Sequence, residues 1–332
     1  MADVRPFIRE ELLPPDRPRR RHLISVADLT RDDVGRLLEL SRTFARTLER
    51  AVKKLPTLKG HTVVNLFYES STRTSSSFEL AAKRLSADVM SIKAAGSAVD
   101  KGESLKDTAL TIAAYDPDVV VIRHPEIGAP QLVARHVGAH VVNAGDGKHQ
   151  HPTQALLDLY TIDEELGGID GLQIAIVGDV LHSRVARSNI QAFVLMGARV
   201  TLVGPPALIP RGIEAMGCEV SYSIDAIATA DVVYVLRMQR ERMLEGANYV
   251  PSLREYTERW GITSDRLRPG QKVMHPGPMN RGVEIQGEVA DAADALIERQ
   301  VRSGLVVRMA VLYDLLTHDP AEIKVAAIQE VA

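Results

Sequence analysis

The chain predicts an α/β fold: two doubly wound parallel-sheet domains joined by a bridging helix, with a C-terminal helix returning to the first domain. Three observations carry this. Short β-branched apolar runs alternate with helical stretches along most of the sequence, the pattern of βαβ units and a parallel sheet. The run Asp118-Val119-Val120-Val121-Ile122-Arg123-His124 is almost continuously apolar, as strands buried on both faces are. A length of 332 residues suggests two cores rather than one.

The elements follow in order. Residues 1 to about 22 are rich in Pro and charge, ending in Arg17-Pro18-Arg19-Arg20-Arg21-His22, and read as a loose arm. Thr30 caps a helix with Asp32 and Asp33 in its first turn and Val34, Leu37, Leu38, Leu40, Phe44 and Leu48 on its apolar face. His61 to Phe67 is a short buried strand. Phe78, Ala81, Ala82 and Leu85 then recur at helical spacing. Asp88 to Ile92 is a strand, Ser104 to Tyr115 a helix capped by Ser104, Gln131 to Val137 a helix, and His140 to Ala144 a strand. Pro152 to about Leu166 is a helix with proline in its first turn, ended by Gly167-Gly168, and forms the bridge. Leu172 to Asp179 opens a second series, with strands at Arg199–Val203, Cys218–Tyr222, Asp231–Leu236 and Gln271–His275. A last helical region runs from about Asp294 to Leu316, with Leu305, Met309, Leu312 and Leu316 at helical spacing. The expected division is residues 1–151, completed by about 300–332, against 152–299.

Composition narrows the function. Apolar content of 45% and charged content of 25% are those of an ordinary globular protein, and a net charge of −3 gives no reason to expect nucleic acid. The single cysteine, Cys218, excludes an intrachain disulfide and a multi-cysteine metal site, and reads as a buried structural thiol. No apolar run approaches 18 residues and no signal-peptide core is visible, so a cytoplasmic enzyme without membrane association is expected.

Chemistry concentrates between the strand ending at Phe67 and the helix beginning near Phe78, in Glu69-Ser70-Ser71-Thr72-Arg73-Thr74. The first turn of a helix has unpaired N–H groups and the positive end of the dipole, a site that favours phosphate. Arg73 adds a planar fork able to hold two phosphate oxygens. The same letters could also form a plain serine-rich N-cap. Phe-x-Glu-x-Ser-Thr-Arg-Thr resembles the signature of the carbamoyltransferases, and that resemblance implies binding of carbamoyl phosphate through Ser71, Thr72, Arg73 and Thr74.

Further positions match the family one by one. Arg123 ends a buried strand, where a charge must be paired or face a cleft. His151 lies in Gln150-His151-Pro152-Thr153-Gln154, a turn whose His and Gln can point to one spot. By resemblance Thr74, Arg123 and His151 would polarise the carbonyl oxygen and Gln154 would hold the carbamoyl nitrogen. The glycine-bearing loop Ala94 to Ser104, plainly read, is mobile and exposed. Its similarity to a segment that enters a neighbouring subunit's site implies that Ser97 and Lys101 reach the phosphate across a homotrimer.

The second half selects the other substrate. Gly178-Asp179-Val180-Leu181-His182-Ser183-Arg184 lacks the G-x-G-x-x-G needed for a dinucleotide, which argues against a dehydrogenase. Arg184 opens a helix, while Arg237 and Gln239 lie on one side of an extended segment. Two arginines facing one cleft suit a dicarboxylate and repel the cationic ornithine side chain. Arg-x-Gln is similar to the aspartate-using members. The loop Met274 to Gly282, dominated by Pro and Gly, would line both substrates through Gly277 and Pro278. Gly277 stands where the best-known aspartate enzymes carry Leu, and Gly-Pro-x-Asn-Arg-Gly resembles a second bacterial subgroup, some of whose members associate with dihydroorotase.

The resemblance, spanning about 55 to 315, thus implies transfer of a carbamoyl group to the α-amino group of L-aspartate in pyrimidine synthesis. Arg73, Thr74, Lys101, Arg123, His151 and Gln154 would be catalytic, with no cofactor or metal. It leaves assembly with dihydroorotase or regulatory chains as the partner question. The alternatives are carbamoyl transfer to ornithine or another amino acid, and a non-catalytic scaffold subunit.

Overall fold

In a computed structural model of the chain, the structure describes residues 22–93, 102–239, 249 and 252–317. Two five-stranded sheets, every pairing parallel, are built from them. The first uses β1 (His22–Leu23), β2 (Thr62–Phe67), β3 (Asp88–Lys93), β4 (Val119–His124) and β5 (His140–Asp146), in the order β1-β5-β4-β2-β3. The second uses β6 (Gln173–Val177), β7 (Arg199–Val203), β8 (Glu219–Ser221), β9 (Val232–Val235) and β10 (Lys272–Met274), in the order β10-β9-β6-β7-β8.

Apart from the edge strand β1, the chain starts near the middle of each sheet, builds outward on one side, and then crosses to the other. The switch falls between β2 and β4 in the first sheet and between β6 and β9 in the second. Ligands on doubly wound sheets bind at the carboxyl ends of strands flanking such a switch.

Helices cover both faces of each sheet. Along β2, Val64 and Leu66 point to one layer with α3 (Leu105–Ala113) and α4 (Ala129–His136), while Val63 and Phe67 point to the opposite one, the period of two of a strand. That opposite layer holds α1 (Arg31–Leu48), α2 (Thr72–Arg84), α5 (Pro152–Leu166) and α9 (Ile297–Leu316). Its apolar cluster continues through α6 (Arg184–Leu195) to Ile174, Ile176 and Leu202 of the second sheet. The two sheets therefore share one buried layer. The far face of the second sheet has a separate core with Tyr256 and Trp260, from α7 (Leu253–Trp260), and Val289, from α8 (Gly287–Ala290).

The last helix packs on α1, α2 and α5, as expected of a helix returning to the first domain. It begins at Ile297 rather than near Asp294, because the Asp294 carbonyl and Leu296 amide pair instead with Val273 of β10. His22 belongs to a strand rather than an arm: β1 pairs with Val141 and Val142 at the edge of the first sheet. Residues 1–21 lie outside the described ones. Thr30 closes a reciprocal capping box with Asp33, and Ser104 caps α3. Cys218 is buried just ahead of β8, and burial pushes its thiol up to about 11.

Candidate active site between the two sheets

A cavity of about 890 Å³ lies between the carboxyl ends of both sheets. It is lined by the segments that follow β2, β4 and β5 on one side and β6, β9 and β10 on the other. Both topological switch points open into it.

On the first side, α2 starts at the cavity wall. Its N-cap, Ser71, makes no side-chain capping bond, and the first backbone bond of the helix runs from Ser75 N–H to Ser71 O. The amides of Thr72, Arg73 and Thr74 are thus left without a cap, in contrast to the capped α1, α3, α6 and α7. The uncapped end is what an anion cradle requires and an ordinary serine cap would not leave. Burial lowers the pKa of Arg73.

Arg123 leaves the end of β4, its Nη1 donating to Ala144 O at 3.2 Å. Burial first, then the neighbouring Arg184 cation, pulls its pKa down to about 10, so it is still cationic near neutrality. Glu69 joins the sides: its Oε2 lies 3.3 Å from Arg123 Nε and accepts from Arg184 Nη2 at 2.5 Å. Gly145 makes this approach feasible, since a Cβ there would stand 2.7 Å from Arg184 Nη1 and 3.2 Å from Arg123 Nη1.

His151 is the N-cap of α5 and is 3% exposed. Its amide donates to Ser188 Oγ at 2.8 Å, so its place is fixed from the second-sheet side. Burial, and then the cations Arg123, Arg308 and Arg184, hold the imidazole well below its usual pKa, so the ring is neutral at physiological pH. One turn on, Gln154 faces the same cavity.

On the second side, Arg184 is the first residue of α6, whose cap is the Ser183 hydroxyl accepting from Ala186 N. Arg237 and Gln239 follow β9, and Gln239 N donates to Asp179 Oδ2 at 3.1 Å. The closing loop starts at His275, whose amide donates to Gln300 Oε1 of α9 at 3.0 Å and whose Nδ1 accepts from Gly277 N at 2.8 Å. Gly277 has φ +60°, and a Cβ there would be 2.2 Å from Arg73 Nη2. The loop of one side thus closes over the arginine of the other.

Of the expected residues, Ser71, Thr72, Arg73, Thr74, Arg123, His151, Gln154, Arg184, Arg237, Gln239, Gly277 and Pro278 all line this one cavity. Ser97 and Lys101 lie outside the described residues.

Three charged lining residues had no role assigned from the sequence. Arg308, on α9, is 4% exposed, donates to Ser77 Oγ at 2.7 Å and lies 5.1 Å from the Phe78 ring centre; burial draws its pKa down to about 10. A cation inside the otherwise apolar run Leu305 to Leu312 was the available signal. Glu69 sits inside the motif itself, and Lys148 follows the end of β5. Among the described lining residues, six cationic side chains (Arg73, Arg123, Lys148, Arg184, Arg237 and Arg308) face one carboxylate, that of Glu69. Arg184 Nη1 and Arg308 Nε are buried with no hydrogen-bond partner in the structure. Such a cleft is made for anions, and for more than one at a time.

Comparison with known proteins gives the same picture. Residues 21–164 match the family profile described as aspartate/ornithine carbamoyltransferase, carbamoyl-P binding domain. Residues 170–315 match the companion profile, the Asp/Orn binding domain. The chain is 58% identical over 300 residues to the aspartate carbamoyltransferase catalytic subunit of Acidothermus cellulolyticus, covering 89% of this chain and 92% of that one. It is 55% identical to that of Thermobifida fusca, over 89% and 95%. Among solved structures, aspartate transcarbamoylase from Trypanosoma cruzi, in complex with carbamoyl phosphate and aspartate, superposes with a TM-score of 0.81 at 32% identity, covering 90% of this chain and 98% of that one. The catalytic subunit of the M. jannaschii enzyme gives 0.78 at 36% identity, over 89% and 98%.

Proposed function

Because this chain belongs to the aspartate/ornithine carbamoyltransferase family, we infer that it transfers the carbamoyl group of carbamoyl phosphate to the α-amino group of L-aspartate. The products are N-carbamoyl-L-aspartate and phosphate, as pyrimidine synthesis requires. The observation that carries this reading is that Arg73 from one sheet and Arg184 and Arg237 from the other line a single cavity.

The uncapped start of α2 and Arg73 bind the phosphate. Thr74, Arg123 and neutral His151 donate toward the carbonyl oxygen, where negative charge grows as the amine attacks. Donors fixed in place before the reaction act most strongly there, each worth about 3 kcal/mol. A neutral imidazole suits this work, since it donates without adding a fourth buried positive charge beside Arg123, Arg184 and Arg308. Gln154 holds the carbamoyl nitrogen. The amine attacks the carbonyl carbon directly, so no protein nucleophile is needed, and the departing phosphate can take the amine proton. Arg184, Arg237 and Gln239 bind the two carboxylates of aspartate. Ornithine is disfavoured because Glu69, the one carboxylate among the described lining residues, already bridges Arg123 and Arg184.

The reading extends to a cytoplasmic homotrimer in which Ser97 and Lys101 of each chain complete a neighbour's phosphate site. No helix among the described residues is long and apolar enough to cross a membrane. The test is direct: the purified chain with carbamoyl phosphate should form carbamoyl aspartate from L-aspartate and little citrulline from L-ornithine. Preferential formation of citrulline would move the assignment to the ornithine branch.

A further inference from the structure

Asp158 does not line the cavity, yet it touches what does. It lies one helical turn after Gln154 on α5, fully buried, and receives four hydrogen bonds. Its Oδ1 accepts from Gln154 Nε2 at 3.0 Å and from Gln300 Nε2 at 2.7 Å. Its Oδ2 accepts from Tyr234 O–H at 2.7 Å and from Asn189 Nδ2 at 2.9 Å. These four donors come from the bridging helix, the last helix, β9 and α6. Asp158 is the one acidic group in the knot.

We propose that Asp158 is a positioning residue that sets which end of the Gln154 carboxamide meets the substrate. The inference rests on the carbamoyl-transfer reading and deepens it. An ionised carboxylate can only accept hydrogen bonds, so it holds the Nε2 end of Gln154 and leaves the Oε1 end for the cavity. The bound carbamoyl group presents an NH2 there, a pure donor in this geometry. An Oε1 facing it accepts a hydrogen bond, whereas an Nε2 facing it would set donor against donor.

A carboxamide without this anchor could turn over. Its two faces are nearly isosteric, so packing alone does not choose between them. The same anchor reaches the closing loop, because Gln300 spends its Nε2 on Asp158 and its Oε1 on the His275 amide. Gln154 and Gln300 are thus turned by one carboxylate, one toward the substrate amide and the other toward the loop that closes over it.

The experiment compares carbamoyl phosphate with acetyl phosphate, which carries CH3 where the substrate carries NH2. The substrate's binding is read from its KM and acetyl phosphate's from its competitive inhibition constant, in the intact full-length enzyme. Wild type must first form carbamoyl aspartate; if it does not, the underlying reading fails before the inference is reached. In Asp158→Ala the KM for carbamoyl phosphate should rise about tenfold or more, while the acetyl phosphate constant stays within about twofold. Tyr234→Phe removes a donor from the far oxygen of Asp158 and should leave that ratio unchanged. Equal weakening of both ligands in Asp158→Ala, or a changed ratio in Tyr234→Phe, would mean that Asp158 only supports the fold. Should Asp158→Ala not fold, Gln154→Met keeps the volume and loses the acceptor. It should weaken carbamoyl phosphate selectively, and an unselective loss overturns the proposal.

Discussion

Arg73 and Arg237 sit on opposite walls of the cavity, and their substitutions should have different effects. Arg73→Ala should lower kcat by about two to three orders of magnitude with the fold intact, as expected for loss of a fixed charge at the reacting phosphate. Arg237→Ala should instead raise the KM for aspartate far more than that for carbamoyl phosphate. Steady-state kinetics with each substrate varied separates the two, and the reverse order would exchange the roles of the sheets. His151 offers a test by pH. Its folded pKa is depressed by burial and three cations, so its ring should remain neutral from pH 8 down through its ordinary value of 6.5, with imidazole NMR resonances that do not move across that range. At this scale the sequence showed residues whose chemistry conflicts with a buried strand end, Arg123 above all. It hid Arg308 and Asp158, because a single charge within a helical pattern looks the same whether it faces solvent or a cavity.

Elements were legible where a cap or a period marked them. Thr30 with Asp33 gave the start of α1, and the apolar spacing from Phe78 to Leu85 gave α2. Helix α7 was missed because Leu-Arg-Glu-Tyr-Thr-Glu-Arg-Trp buries only Tyr256 and Trp260, too few apolar residues to show a stripe. The two-residue β1 was missed because strands that short carry no period. The closing loop is the element whose geometry makes the sharpest demand. Gly277 lies at φ +60°, where a side chain costs about 1 kcal/mol, and its missing Cβ leaves room for the Arg73 guanidinium. Gly277→Ala should therefore raise the KM for carbamoyl phosphate several-fold while lowering the melting temperature by only a few degrees. Kinetics and thermal denaturation on one preparation will show whether the two effects part.

For the whole molecule, the alternation of strands and helices predicted two parallel sheets. It could not predict that their inner layers merge, since nothing local distinguishes an apolar helix shared by two sheets from one serving a single sheet. The proposed sharing of sites between chains is testable by mixing. Arg73→Ala and Lys101→Ala variants are each expected to be nearly inactive. In hybrids formed at equal amounts, about a quarter of the interfaces join an intact Arg73 to an intact Lys101, so activity should return to about a quarter of wild type. Absence of recovery, with hybrids verified by mass, would place Lys101 in its own chain's site.

Glu69 gives the resting cleft a built-in rival to its ligands. With its carboxylate resting on both Arg123 and Arg184, an incoming diacid exchanges one ionic contact for another instead of satisfying bare charge. Chloride or acetate, which bring no second anchoring point, gain little from that exchange and should be feeble inhibitors even at concentrations where they are abundant. Selectivity against common small anions then comes from how many grips a molecule offers, and scarcely from how negative it is.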